Sequence, residues 1–175
     1  MKKFIPLLIV ITQLGTVALS SADDCKLPPP YVGSKAFERL KTLAGNWTGT
    51  DTKGDQTSPV AAHYAVTSNG SVVVETLFPG SPHEMVTVYH DRKGTLAMTH
   101  FCALGNRPTM TLTSSSDTQL EFSLDNGGEV DAANEAHMHA LTLSLPAADK
   151  LVQTWTYFDG GKAAGSTTIE LTRTK

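Results

Sequence analysis

The chain has no surplus of basic residues: 14 Lys and Arg stand against 17 Asp and Glu, and they form no basic patch. That argues against nucleic acid as a partner. Only one long apolar run is present, at the N-terminus, and Pro6, Thr12, Gln13 and Gly15 interrupt it. A spanning helix needs about 20 mostly apolar residues, so no membrane span is expected. The sequence contains no Gly-x-Ser-x-Gly elbow and no His-Glu-x-x-His motif, which removes the commonest signatures of a serine hydrolase and a zinc protease. No internal repeat and no linker point to a second domain.

Cysteine is also scarce. Cys25 and Cys102 are the only two, and in an oxidising compartment their bland fate is a disulfide that ties an N-terminal arm to the rest of the chain. If that bridge forms, Cys102 is neither nucleophile nor metal ligand.

The apolar run itself is informative. Lys2 and Lys3 precede it and Ser20 and Ala22 end it, which is the pattern of a secretory signal peptide over residues 1–22. An exported protein, periplasmic or secreted, is the expectation. Removing that segment leaves about 150 residues, enough for one domain with a substantial core. Residues 23–33 are polar and proline-rich and read as a flexible arm. A barrel domain is expected over 34–175.

Phe37, Leu40 and Leu43 fall at helical spacing, with Ser34 as a plausible N-cap and Gly45 as a stop. Beyond them come short alternating segments divided by turn signals, Asn69-Gly70 being the strongest. About ten antiparallel strands result. Many short strands at hairpin spacing mean a sandwich or a closed barrel. With one initial helix to close an end, the expectation is an all-β, up-and-down antiparallel barrel.

The passage from the helix into Gly45-Asn46-Trp47 resembles the Gly-x-Trp start of the calycin folds: lipocalins, fatty-acid-binding proteins and nitrobindin-like barrels. The segments "LAMTHFCALGNRPTM", "HMH" and "QTWTYFDGGK" are similar to those of a group of exported bacterial barrels. The resemblance implies a Trp packed across a closed barrel end and a binding pocket at the other. The nitrobindin likeness further implies haem held by a histidine close to the C-terminus. No histidine follows His139 here, so an axial role would fall to His100 or His139.

Side chains two apart in a strand share a face. Leu96, Met98, His100 and Cys102 therefore line one face, as do His137, His139, Leu141 and Leu143, and Gln153, Trp155 and Tyr157. In the fourth strand the apolar alternation groups Glu84, Val86, Val88 and His90, which makes Glu84 a candidate acid or base. The first expectation is a pocket for a small, largely apolar molecule, with His100, Cys102, Asn106, Met110, His137, His139 and Trp155 as its binding residues. Two alternatives stand beside it: a barrel filled by its own side chains, and a metal or haem site on His100, His137 and His139.

Overall fold

The computed structural model describes residues 26–92, 94–125 and 129–174. Residues 1–22, expected to be a signal peptide, and Cys25 lie outside these residues, and with them the expected disulfide.

Helix α1 (Lys35–Lys41) precedes ten strands: β1 (Gly45–Lys53), β2 (Gln56–Thr67), β3 (Val72–Leu77), β4 (Met85–Arg92), β5 (Thr95–Phe101), β6 (Thr109–Ser115), β7 (Gln119–Leu124), β8 (His137–Ala147), β9 (Lys150–Asp159) and β10 (Lys162–Arg173). Each strand pairs antiparallel with the next, and β10 returns to β1 to close the barrel. This is the ten-stranded meander with one short helix that the hairpin rhythm predicts. Among the described residues no helix is long and apolar enough to cross a membrane.

The helix begins where its cap says it should. Ser34 is extended and its Oγ accepts from the Phe37 amide, while Asp91 at the end of β4 holds the Ser34 amide at 2.6 Å and its hydroxyl at 2.9 Å. The cap is thus bolted to the barrel wall, which fixes the helix across one end. Its apolar stripe, Phe37 and Leu40 with Leu43 just beyond, is buried against Trp47. The Trp47 indole donates to the Leu43 carbonyl at 2.8 Å. Arg173 lies 4.3 Å from the Trp47 ring centroid and donates to the carbonyls of Thr42 and Ala44, which the helix leaves without internal partners. The described part of the arm, 26–33, has no regular structure and is tied down by Tyr31 N–H to the Asn69 carbonyl and by the Asn69 amide to Pro28.

Closure of the barrel depends on Gly49. A Cβ there would stand 1.8 Å from the Glu170 carbonyl oxygen across the β1–β10 seam, a distance only backbone movement can relieve. Gly49→Ala is expected to lower the unfolding free energy by about 1–3 kcal/mol. An unchanged midpoint in urea would show that the seam opens at no cost.

Candidate functional site

The end opposite α1 is open. A cavity of about 1040 Å³ lies between the β1–β2, β3–β4, β5–β6 and β9–β10 connections. Its floor is set by lining side chains that are themselves buried: Leu77, His100, Trp155 and Ile169. Rim residues include Lys53, Phe78, His83, Cys102 and Tyr157. Phe78 stands in the left-handed region with φ +54°, an uncommon conformation for a bulky residue, as the chain leaves β3.

Beneath this floor lies a polar cluster. In the antiparallel register Tyr64, Glu75, Thr87 and His100 stand opposite one another in sequence across β2, β3, β4 and β5, a single row of inward-facing residues. The Glu75 carboxylate accepts from the Tyr64 hydroxyl at 2.6 Å, from the Tyr89 hydroxyl at 2.9 Å and from Gln153 Nε2. Gln153 Oε1 in turn accepts from the Trp155 indole at 2.9 Å. Burial pushes the Glu75 carboxyl up, and the hydrogen bonds from Tyr64, Gln153, Tyr89 and Thr87 pull it back. Burial, and then the Glu75 charge, raise both tyrosines well above the usual phenol range. A carboxylate this deep is tolerable because donors surround it.

His100 connects that cluster to the cavity. Its Nδ1 is 2.9 Å from the Thr87 hydroxyl, and its ring centroid is 4.5 Å from that of Trp155. Burial lowers its pKa to about 4, so the ring is neutral near pH 7. Nε2, at the far end of the ring, is buried and has no hydrogen-bond partner among the described residues.

The seven residues singled out from the sequence are divided by the fold. His100, Cys102 and Trp155 line the cavity. Cys102 is half-buried, and burial raises its thiol, which keeps it protonated and a poor nucleophile near neutral pH. Asn106 does not line the cavity: its amide donates to Glu135 Oε1 at 2.9 Å and to the Ala136 carbonyl at 2.8 Å, tying the β5–β6 turn to the segment before β8. Met110 is fully buried in the core, paired across the ladder with Met98, and is not part of the cavity wall.

His137 and His139 do not line the cavity either, and the reason is a bulge. Met138 pairs with Tyr157, but the next pair is Ala140 with Thr156, so His139 is an extra residue in β8. Opposed residues share a face, which puts Met138 inward with Tyr157 and Leu141 inward with Trp155; strict alternation past residue 139 fails. The two histidines instead face Phe158 on the outer side of the ladder. His137 Nδ1 donates to the Glu135 carbonyl at 2.6 Å, its Nε2 lies 3.1 Å from His139 Nδ1, and His139 stacks on Phe158 at 3.7 Å. Burial and then the neighbouring His137 lower the His139 pKa. His100 therefore does not converge with them. No group of three or more His, Cys, Asp or Glu suited to a metal ion occurs among the described residues.

In β4 the faces are the reverse of the apolar grouping. Thr87 and Tyr89 are buried inside, while Val86, Val88 and His90 lie on the other face and Glu84 is exposed before the strand begins. The Glu84 carboxylate accepts from the Gly80 amide at 2.6 Å and takes no part in the cavity. The buried acid is Glu75, which the sequence reading missed. The one signal for it was that Glu75 shares its face with Val73 and Leu77 in a strand whose other face is also valine-rich.

No family model matches the chain, and no curated protein matches it. Among solved structures, a protein of unknown function from the DUF3598 family of Nostoc punctiforme PCC 73102 is similar over 77% of this chain, at 12% identity and a TM-score of 0.41. The match takes in 48% of that protein, so this chain spans about half its length.

Proposed function

We propose that the protein is an exported barrel of calycin type that binds a small, largely apolar molecule in the cavity at its open end. The observation that carries this reading is the cavity itself, about 1040 Å³ with a floor of buried side chains. It is of the size that holds small organic ligands. Trp155, Leu77 and Ile169 offer apolar contact, and His100 offers one polar point.

The test is native mass spectrometry of the purified protein with metal analysis of the same sample, followed by Nile red titration. A co-purified organic mass, or saturable dye uptake, is expected. Ile169→Trp places bulk in the floor and should weaken uptake by about tenfold or more, one displaced contact of that size being worth at least about 1.4 kcal/mol. Unchanged uptake with native circular dichroism would remove the cavity as the binding site.

A second reading has one observation in its favour. His100 lines the cavity with an anchored Nδ1 and a buried, unpartnered Nε2, and an imidazole so held would suit a ligand to haem iron. His139, the other candidate, is on the outer face. A Soret shift on adding haemin that disappears in His100→Phe would establish this reading; its absence would leave the organic ligand.

A further inference from the structure

The floor of the cavity offers an acceptor and no free donor. The Tyr64 and Tyr89 hydroxyls are committed to Glu75, Gln153 Nε2 to Glu75 and Tyr64, and the Trp155 indole to Gln153. That leaves the Thr87 hydroxyl and the His100 imidazole to share their protons. Thr87 stands opposite Glu75 on the next strand and hydrogen-bonds to its carboxyl, which already accepts from Tyr64, Tyr89 and Gln153, so the Thr87 proton is drawn toward Glu75 as well. Its oxygen then accepts from His100, which fixes the imidazole proton on Nδ1. Nε2 is left with its lone pair, buried and unpartnered, on a residue that lines the cavity floor.

We infer that the ligand enters with an uncharged hydrogen-bond donor foremost, a hydroxyl or phenol that donates to His100 Nε2, and that molecules leading with a carboxylate are turned away. This rests on the cavity being a ligand site. A carboxylate at the floor meets the Nε2 lone pair with no donor to receive it. An ether of the same shape leaves Nε2 unsatisfied and loses the bond. The apolar body of the ligand lies against Trp155. The low basicity of His100 agrees with this: near neutral pH the ring does not become the cation that a carboxylate would seek.

The test uses three probes of one shape, 2-naphthol, 2-methoxynaphthalene and 2-naphthoate, titrated into the full purified chain by calorimetry near pH 7.5. Naphthol is expected to bind about tenfold more tightly than the methyl ether, the value of one buried hydrogen bond, and naphthoate is expected to bind more weakly than both. His100→Phe should bring naphthol down to the level of the ether and leave the ether unchanged. Should that variant not fold, two-bond nitrogen–proton NMR of the wild type reads the tautomer without any ligand: a pyridine-type Nε2 is expected, perturbed by naphthol. An Nε2 that carries the proton overturns the inference. So does equal binding of all three probes, which leaves the cavity standing as a ligand site. Binding of none of them, with no uptake of Nile red, overturns both.

Discussion

Glu75→Leu is expected to lower the melting temperature by about 10 °C. The side chain accepts from Tyr64, Tyr89 and Gln153 in a fully buried layer of the barrel, and leucine accepts nothing. Each orphaned donor costs roughly 1–3 kcal/mol, partly offset by the relief of burying a carboxylate. A net loss of about 4 kcal/mol corresponds, in a domain of this size, to roughly 8–16 °C. Adding Tyr64→Phe and Tyr89→Phe to the leucine variant should win back part of the loss, because apolar partners of similar shape leave fewer groups unsatisfied. That recovery separates a hydrogen-bonding role from simple packing. If Glu75→Leu melts with or above the wild type, the carboxylate is a burden the barrel carries for another purpose, and the cluster would have to be explained by the cavity alone. Tyr64 and Tyr89 hold Glu75, Glu75 orients Thr87, and Thr87 anchors His100, so the same substitution should also loosen the discrimination between naphthol and its ether.

The barrel was legible because its signals are local and repeated. Asn69-Gly70, Asp91 to Gly94 and the segments between them fix where strands end, and Ser34 with Phe37 and Leu40 fixes the helix. Closure followed from strand number and from a single helix that can cover one end only. Which face of each strand turns inward was harder to read. In β4 the sequence offers Val86 and Val88 on one side and Thr87 and Tyr89 on the other, and hydrophobicity chooses the valines. The barrel chooses Thr87 and Tyr89, since Glu75 on the neighbouring strand requires donors and the burial of one carboxylate drags its partners in with it.

The bulge at His139 was illegible for a different reason. One extra residue leaves no mark in composition, yet it exchanges the faces of everything before it in β8, so that Met138 and not the two histidines reaches the cavity. His100 needed no such correction. It lies on a strand whose inward residues Leu96 and Met98 are buried without interruption, and there alternation alone is sufficient.

His100 should make the protein acid-labile in a defined window. Its folded pKa is about 4 because burial disfavours the cation, whereas the unfolded imidazole titrates near 6.5. Above pH 6.5 both states are neutral and His100 contributes nothing to the pH dependence. As pH falls from 6.5 toward 4 the unfolded chain takes up a proton that the folded chain refuses, so stability drops, by about 3 kcal/mol in total for a shift of this size. Glu75 acts with the opposite sign: its raised pKa lets the folded state bind a proton before the unfolded state does, which offsets part of the loss as pH falls. His139, also lowered, adds to the His100 effect from the outer face. The His100 contribution is therefore isolated by difference. Urea denaturation of the wild type and of His100→Gln between pH 7.5 and pH 4 should give curves that converge on acidification, because the glutamine variant lacks the penalty. A ligand that donates to Nε2 should make the wild type still more acid-sensitive, since it binds only the neutral ring and protonation must expel it. Parallel curves would mean that His100 takes its proton freely in the folded state, and that its burial does not keep the ring neutral.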